Sequence, residues 1–213
     1  LFEYIYFLNK KSIFEGTYVS NYRSKVGEIL ANQDKILQSS PNEYIVVGVP
    51  NTGNDYAISY ANTSGIKFEN YITKNKEINR TFILKTNEER NKYANLKYIF
   101  NHNLKNKNII LIDDSLVRGI TLKNLIKNLK EFGVNEIHVR IASPPIDDTC
   151  IYGIDIPTKE ELIFNSYNKK EDLVSFFKCD SIKYLHIDKL KYALDDFDKK
   201  CTMCLNKDPK LEW

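Results

Sequence analysis

Apolar positions along the chain fall into short runs separated by polar, Asn- and Lys-rich stretches. From Ser20 to Leu37, Val26, Ile29, Leu30 and Leu37 recur at roughly helical spacing, which predicts a packing helix. Tyr44 to Val49 is a brief aliphatic run halted by Pro50-Asn51-Thr52-Gly53. Tyr56 to Asn62 then reads as a helix that stops at Ser64-Gly65. Strand, tight turn, helix is the simplest parse, and it recurs. Ile109 to Ile112 does not alternate, which predicts a strand buried on both faces. Leu122, Leu125, Ile126 and Leu129 follow at i, i+3, i+4 and i+7, with Gly133 as the stop. Ile137, Val139 and Ile141 alternate as a further strand. Thr158 and Glu161 have capping-box spacing for a helix running through Leu162. Ile182 to Ile187 reads as a strand, and Asp188 as the cap of a final helix containing Leu190, Ala193, Leu194 and Phe197.

Strands alternating with helices predict an α/β fold, a doubly wound and mostly parallel sheet flanked by helices. No internal repeat interrupts that pattern. The polar stretch from Thr73 to Lys107 has two weak helical hints; its length suggests a functional flap, with disorder as the plainer alternative.

A chain of 213 residues, 42% hydrophobic and 28% charged, is enough for one principal domain. The formal charge is only +3, from 31 basic and 28 acidic residues, which makes no case for a nucleic-acid footprint or a polybasic membrane patch. An anionic small molecule fits that balance. The apolar runs fall far short of the roughly 18 residues of a membrane span. The N-terminus has no signal-peptide core, so a soluble cytoplasmic protein is expected. The chain opens Leu-Phe-Glu-Tyr, and its one Met is Met203, so a segment upstream of Leu1 is also expected.

The chemistry concentrates in "IILIDDSLVRGIT", Ile109 to Thr121. Side chains at the carboxyl end of a buried parallel strand enter the crevice where α/β sheets bind ligands. Adjacent residues on an extended backbone point to opposite sides. Asp113 and Asp114 are therefore poorly arranged to share a proton and better arranged to address neighbouring hydroxyls or a hard cation. The segment from Ser115 to Thr121 runs straight into a predicted helix, whose first turn offers unpaired N–H groups and the positive end of its dipole. Gly119 permits close backbone approach, and the Ser115 and Thr121 hydroxyls add donors. That is a phosphate cradle. Carboxylates toward a diol and amides toward a phosphate together suit a ribose 5-phosphate. A lone Asp-Asp could equally be a solvated strand end; the continuation into Gly119 and the helix favours the ligand.

The same stretch, continued to Ile146, resembles the phosphoribosyltransferase half of the amidophosphoribosyltransferase family. So do "FEYIYF" at Phe2 to Phe7, "VGVPNTG" at Val47 to Gly53, "NRTFI" at Asn79 to Ile83 and "CIYGIDIPTKEELI" at Cys150 to Ile163, in the family's order. The resemblance covers nearly the whole chain. It implies a type I phosphoribosyltransferase fold. It also implies attack of ammonia, supplied from glutamine in the full-length enzyme, on phosphoribosyl pyrophosphate to give 5-phosphoribosylamine and pyrophosphate, the first committed step of de novo purine biosynthesis.

Carried over by resemblance, Asp113 and Asp114 contact the ribose hydroxyls or Mg²⁺. Ser115, Leu116, Val117, Arg118, Gly119, Ile120 and Thr121 hold the 5-phosphate. Thr52, with Gly53, lies beside pyrophosphate and metal, and Lys74 and Arg80 are the cations of a flexible loop near residues 73–107. The sequence departs from the family at Ile120, where threonine is usual, at Asn51, where an acidic residue is usual, and at Lys76 and Asn79, where arginine and glycine are usual.

Among four cysteines, Cys201 and Cys204 form a C-x-x-C pair in a tail near residues 188–213. Such a pair suggests a metal or redox site, with zinc or free thiols as alternatives. With Cys150 they resemble three of the four ligands of the [4Fe–4S] cluster in one branch of the family, the fourth lying just upstream of Leu1. Cys179 matches no ligand and is expected as a small buried hydrophobe. The family further implies an N-terminal glutaminase domain, which nothing here resembles, and a homo-oligomer. Two other readings share the diol and phosphate chemistry: a nucleobase-salvage phosphoribosyltransferase, whose base-binding hood is not recognisable here, and a non-catalytic regulator that senses phosphoribosyl pyrophosphate.

Overall fold

A computed structural model of the protein describes residues 1–34, 41–75, 97–155, 158–167 and 169–205. The chain starts in a π-helical turn, Glu3–Phe7, and a two-residue hairpin of β1 (Ile13–Phe14) and β2 (Thr17–Tyr18), then enters α1 (Val19–Gln33). β3 (Tyr44–Gly48) leads through a tight turn into α2 (Gly53–Ser64), which Gly65 ends in the left-handed conformation at φ 76°. A separate antiparallel pair, β4 (Ile72–Lys74) and β5 (Tyr98–Phe100), precedes β6 (Asn108–Asp113). Then come α3 (Ile120–Phe132), β7 (Glu136–Ile141), the short α4 (Ile163–Ser166), α5 (Lys170–Phe177) and β8 (Ser181–Tyr184).

β3, β6, β7 and β8 form one parallel sheet in the order β3-β6-β7-β8, with Val46 opposite Ile110 and Ile110 opposite His138. The non-alternating β6 run has the physical cause expected of it. Ile110 and Ile112 pack with Tyr22, Val26 and Tyr56 of α1 and α2, while Ile109 and Leu111 pack with Leu122, Leu125 and Leu129 of α3. A strand with a helix layer on each side needs apolar side chains at every position. The helices on both faces make the sheet doubly wound, as expected. Gly133 closes α3 in the left-handed conformation, donating its N–H to the Leu129 and Lys130 carbonyls.

Two predicted helices are corrected. Thr158 makes no side-chain cap, and only a 3₁₀ turn, Lys159–Glu161, follows it. Leu162 is extended, and the Ile163 N–H bonds to the Val117 carbonyl at 2.9 Å; that tertiary bond sends the chain under the Asp113–Gly119 loop instead of along a helix. Asp188 is the second residue of a 3₁₀ turn, Ile187–Tyr192, rather than the cap of an α-helix, and Phe197–Lys199 is another 3₁₀ turn. The strand read over Ile182 to Ile187 is shorter than expected and starts one residue earlier. α5 was not foreseen, although its buried Leu173 and Phe177 have i, i+4 spacing. α1 ends by Gln33, and Leu37 lies outside the described residues. Within the expected flap, the described edges carry the β4–β5 pair, and residues 76–96 lie outside the described part. Among the described residues, no helix is long and apolar enough to cross a membrane.

Candidate active site

β6 ends at Asp113 and its carboxylates emerge between α2 and α3. The Asp113 carbonyl accepts the Ala142 N–H at 2.9 Å, so β7 holds the strand to its last residue. The Asp113 carboxylate accepts the Asp114 N–H at 2.9 Å, and Asp114 Oδ1 accepts the Ser115 hydroxyl at 2.8 Å. Asp114 is only 7% exposed. Burial first, then the neighbouring Asp114 charge, pushes the Asp113 carboxyl well above the ordinary range, against the pull of Lys97 and Lys74. Burial lifts Asp114 to about 6, opposed by the Ser115 hydrogen bond, the Arg23 charge and the Thr52 hydroxyl. Two adjacent carboxylates, Asp114 buried and Asp113 half-buried, that resist ionising are a site short of positive charge or hydroxyl donors, which a ligand or cation can supply.

The loop after them is fixed from below. Leu116 is buried, so its backbone is what it offers a ligand, and the Val117 carbonyl is tied to Ile163. Arg118 lines the cavity with its Nε 2.7 Å from Glu161 Oε2, both side chains about half exposed. Gly119 has φ 76°, and a Cβ there would lie 3.0 Å from Phe177 Cζ. α3 begins directly after it with no side-chain cap, leaving its first amides to the cavity. Ile120 is 63% exposed at that mouth.

Thr52 precedes α2 and reaches the same space. Gly53 allows this, since a Cβ there would sit 2.5 Å from the Ile112 carbonyl. Lys74, the last residue of β4, pairs opposite Tyr98 of β5. A cavity of about 550 Å³ brings together Thr52, Lys74, Asp113, Asp114 and Ser115 through Leu122. Arg80 lies outside the described residues, as do Lys76 and Asn79.

Several lining residues were not singled out in the sequence. Lys97 stands beside Lys74, its ammonium held below the ordinary value first by loss of water and then by that neighbour. Phe2, Tyr6 and Phe7 form an aromatic wall, and Asp155 closes another side. The "FEYIYF" run was a signal for the wall; for Lys97 the only cue was its position at the return of the polar excursion.

No family model matches the chain. It is 38% identical, over 97% of its length, to the chloroplastic amidophosphoribosyltransferase of Glycine max, and 39% identical, over 98%, to the amidophosphoribosyltransferase of Methanothermobacter thermautotrophicus. The glutamine phosphoribosylpyrophosphate amidotransferase of B. subtilis, solved with ADP and GMP, superposes with a TM-score of 0.83 at 33% identity over 97% of the chain. Over nearly its whole length the chain is similar to one part of the amidophosphoribosyltransferases. It spans 36% and 43% of the length of those two curated relatives and 46% of the solved chain, less than half in each case. Its fold is the type I phosphoribosyltransferase fold expected from the resemblance.

The cysteines expected from one branch of amidophosphoribosyltransferases are near one another. Burial first, then Cys150 and Cys201, pushes the Cys204 thiol up to about 11. Cys204 is buried, Cys150 half-buried and Cys201 exposed, and the Leu1 amino group donates to the Cys201 carbonyl at 3.2 Å. Cys179 lies apart in the core, raised to about 11 chiefly by burial. Among the described residues, no group of three His, Cys, Asp or Glu side chains is arranged to hold a metal ion.

Proposed function

We propose that the chain is the phosphoribosyltransferase part of an amidophosphoribosyltransferase, transferring ammonia to phosphoribosyl pyrophosphate. The observation that carries this reading is the single cavity holding the Asp113–Asp114 pair, the Ser115–Thr121 loop and α3 N-terminus, and Lys74 with Lys97. The loop amides and hydroxyls would hold the 5-phosphate. The aspartates would accept the ribose hydroxyls and, as anions, favour the positive charge that develops on the sugar. Lys74 and Lys97, with Arg80, would face the pyrophosphate. Their charge matters most as the C1–O bond breaks and its electron pair leaves with the pyrophosphate. The ammonia lone pair forms the C1–N bond, and the nitrogen then loses a proton to water or to the departing pyrophosphate.

The donor chemistry fits Mg²⁺. Asp113, Asp114 and Thr52 offer hard oxygen atoms, and the resistance of the two carboxyls to ionisation is what a bound cation relieves. When bound, the ion would neutralise pyrophosphate charge. By the resemblance, Cys150, Cys201 and Cys204 would supply three thiolate ligands of a [4Fe–4S] cluster, with the fourth upstream of Leu1, although as described the three are not arranged to hold a metal ion. The full-length protein would add a glutaminase domain as its ammonia source, act as a homo-oligomer and work in the cytoplasm.

The test is pyrophosphate release from phosphoribosyl pyrophosphate with Mg²⁺, comparing ammonia with glutamine as donor. Release with ammonia and none with glutamine is expected from these 213 residues. Asp113→Asn with Asp114→Asn should lower it by about three orders of magnitude, the scale of an electrostatic catalytic group. Tight binding without turnover would instead support a sensing role, and no binding would refute the reading.

A further inference from the structure

The segment from Phe2 to Leu8 forms the aromatic wall of the cavity, although it belongs neither to the sheet nor to a helix layer. The Leu8 N–H caps its π-turn on the Glu3 carbonyl at 3.0 Å. Four of its other carbonyls are taken up by side chains from α1 and α2. Arg23, 3% exposed, donates Nε to the Tyr4 carbonyl at 3.1 Å and Nη2 to the Leu8 and Tyr6 carbonyls at 2.8 and 3.4 Å. The Tyr56 hydroxyl donates to the Ile5 carbonyl at 2.9 Å.

The remaining edge of the guanidinium faces α2. Arg23 Nη1 lies 3.0 Å from Asp55 Oδ2, and the other oxygen of that carboxylate takes Lys10 Nζ at 3.0 Å. The Asp55 N–H donates to the Thr52 carbonyl at 3.0 Å, so Asp55 is part of the turn that carries Thr52 into the cavity. The helices approach closely enough for this because residue 27 is glycine; a Cβ there would lie 2.4 Å from the Tyr56 carbonyl. A buried guanidinium is retained where several acceptors match its planar fork. Here all of them lie on two strips of chain, the aromatic segment and the Thr52 turn, that border the cavity.

We infer that Arg23, paired with Asp55, is a positioning residue that fixes the wall of Phe2, Tyr6 and Phe7 against the Thr52 turn. It thereby sets the width of the cavity where pyrophosphate would lie. The inference rests on the phosphoribosyl pyrophosphate reading above. Arg23 touches no reacting atom; it acts through the two strips it joins.

The experiment titrates wild type, Arg23→Lys and Asp55→Asn with Mg²⁺ and phosphoribosyl pyrophosphate, and separately with ribose 5-phosphate, alongside thermal unfolding. Lysine keeps the charge and loses the fork, so phosphoribosyl pyrophosphate affinity should fall about tenfold, the scale of one charge-assisted hydrogen bond. Asp55→Asn keeps the three carbonyl contacts of Arg23 and should cost about threefold. Ribose 5-phosphate, held by Asp113 through Thr121, should bind within about twofold of wild type in both. Equal losses for the two ligands, or unchanged phosphoribosyl pyrophosphate affinity in both variants, would overturn the assignment. Should Arg23→Lys fail to fold, Asp55→Asn alone decides it by the same criteria. Wild type that binds neither ligand overturns the phosphoribosyl reading itself, and this inference with it.

Discussion

Asp114 is a residue whose burial works against the fold and for the ligand. Its carboxyl, ordinarily near 3.8, is raised to about 6, chiefly by burial. An acid whose folded value is raised favours the fold fully below its unfolded value, and that contribution is lost as the pH rises through the folded value. Without Mg²⁺, Asp114 therefore lowers stability at pH 8 relative to pH 4. Asp114→Asn removes the charge and keeps an oxygen for the Ser115 hydroxyl. It should stabilise the ligand-free protein by about 1–3 kcal/mol at pH 8 and by little at pH 4, while weakening Mg²⁺-dependent phosphoribosyl pyrophosphate binding. Urea unfolding at the two pH values checks the first effect and calorimetry the second; a destabilised variant at pH 8 would count against the burial argument. Ile120, 63% exposed, poses the converse case. Ile120→Thr adds a hydroxyl at the α3 N-terminus without filling or emptying a core. Ribose 5-phosphate should bind more tightly by about 0.5–1.5 kcal/mol, one net hydrogen bond, with stability nearly unchanged.

Between elements, the least expected feature is a buried ionic node. Asp34, 1% exposed just beyond α1, is paired with Arg140 of β7, with Lys183 of β8 at 2.8 Å, and with the Tyr60 hydroxyl of α2 at 2.8 Å. Burial alone would raise Asp34, but the Arg140 charge and the hydrogen bonds from Arg140 and Lys183 outweigh it, so its carboxyl lies below the ordinary value. A depressed carboxyl stabilises the fold above its unfolded value, and this is lost as the pH falls through the folded one. Arg140→Met removes the main partner of a buried charge and should cost about 3–5 kcal/mol at pH 7. In the variant, burial dominates and Asp34 takes up a proton more readily, so the cost should shrink by pH 4; urea unfolding across that range reads the difference. A cost that does not change with pH would point to lost packing instead. This node also marks the limit of what the sequence discloses. β6 and α3 were legible because their signals are contiguous, a non-alternating aliphatic run and a helical stripe ending at Gly133. That Asp113 through Thr121 line one cavity was legible for the same reason, since they are contiguous in one strand end and loop. Arg140 was hidden inside an alternating strand, and its partner is 106 residues away. Lys97, Arg23 and the aromatic wall reach the cavity from separate parts of the chain, so no local spacing links them. The helices expected after Thr158 and Asp188 failed through tertiary competition: the Ile163 N–H bonds to Val117, and Ile187 and Leu190 are buried three residues apart, as a 3₁₀ turn presents them.

At the scale of the whole molecule, the two ends of the described chain meet. The Leu1 amino group donates to the Cys201 carbonyl, Leu205 bridges to Ile146, the Asp147 N–H bonds to the Cys204 carbonyl at 3.1 Å, and Lys200 pairs with Glu15. The Leu1 bond thus joins the cysteine-bearing tail to the N-terminal turn, whose aromatic residues wall the cavity, while the Ile146 and Asp147 bonds join it to the segment after β7. Cys150, Cys201 and Cys204 lie near this junction, and burial together with the neighbouring cysteines disfavours the Cys204 thiolate against the weaker pull of the Leu1 amino group. Iron would reverse that balance by binding the thiolates, so a cluster there would fasten the tail and, through the Leu1 end, the wall. Two consequences can be separated by measurement. The full-length protein, prepared without oxygen and supplied with iron and sulfide, should acquire broad visible absorption with equal iron and labile sulfide; Cys204→Ser should lose both. If zinc is bound and no sulfide is found, the cluster assignment fails. The second consequence is mechanical: filling the site should raise the unfolding midpoint and slow proteolysis of the tail in wild type but not in Cys204→Ser. A cluster that forms without protecting the tail would show that the backbone bonds at Leu1, Ile146 and Asp147 already hold the junction by themselves.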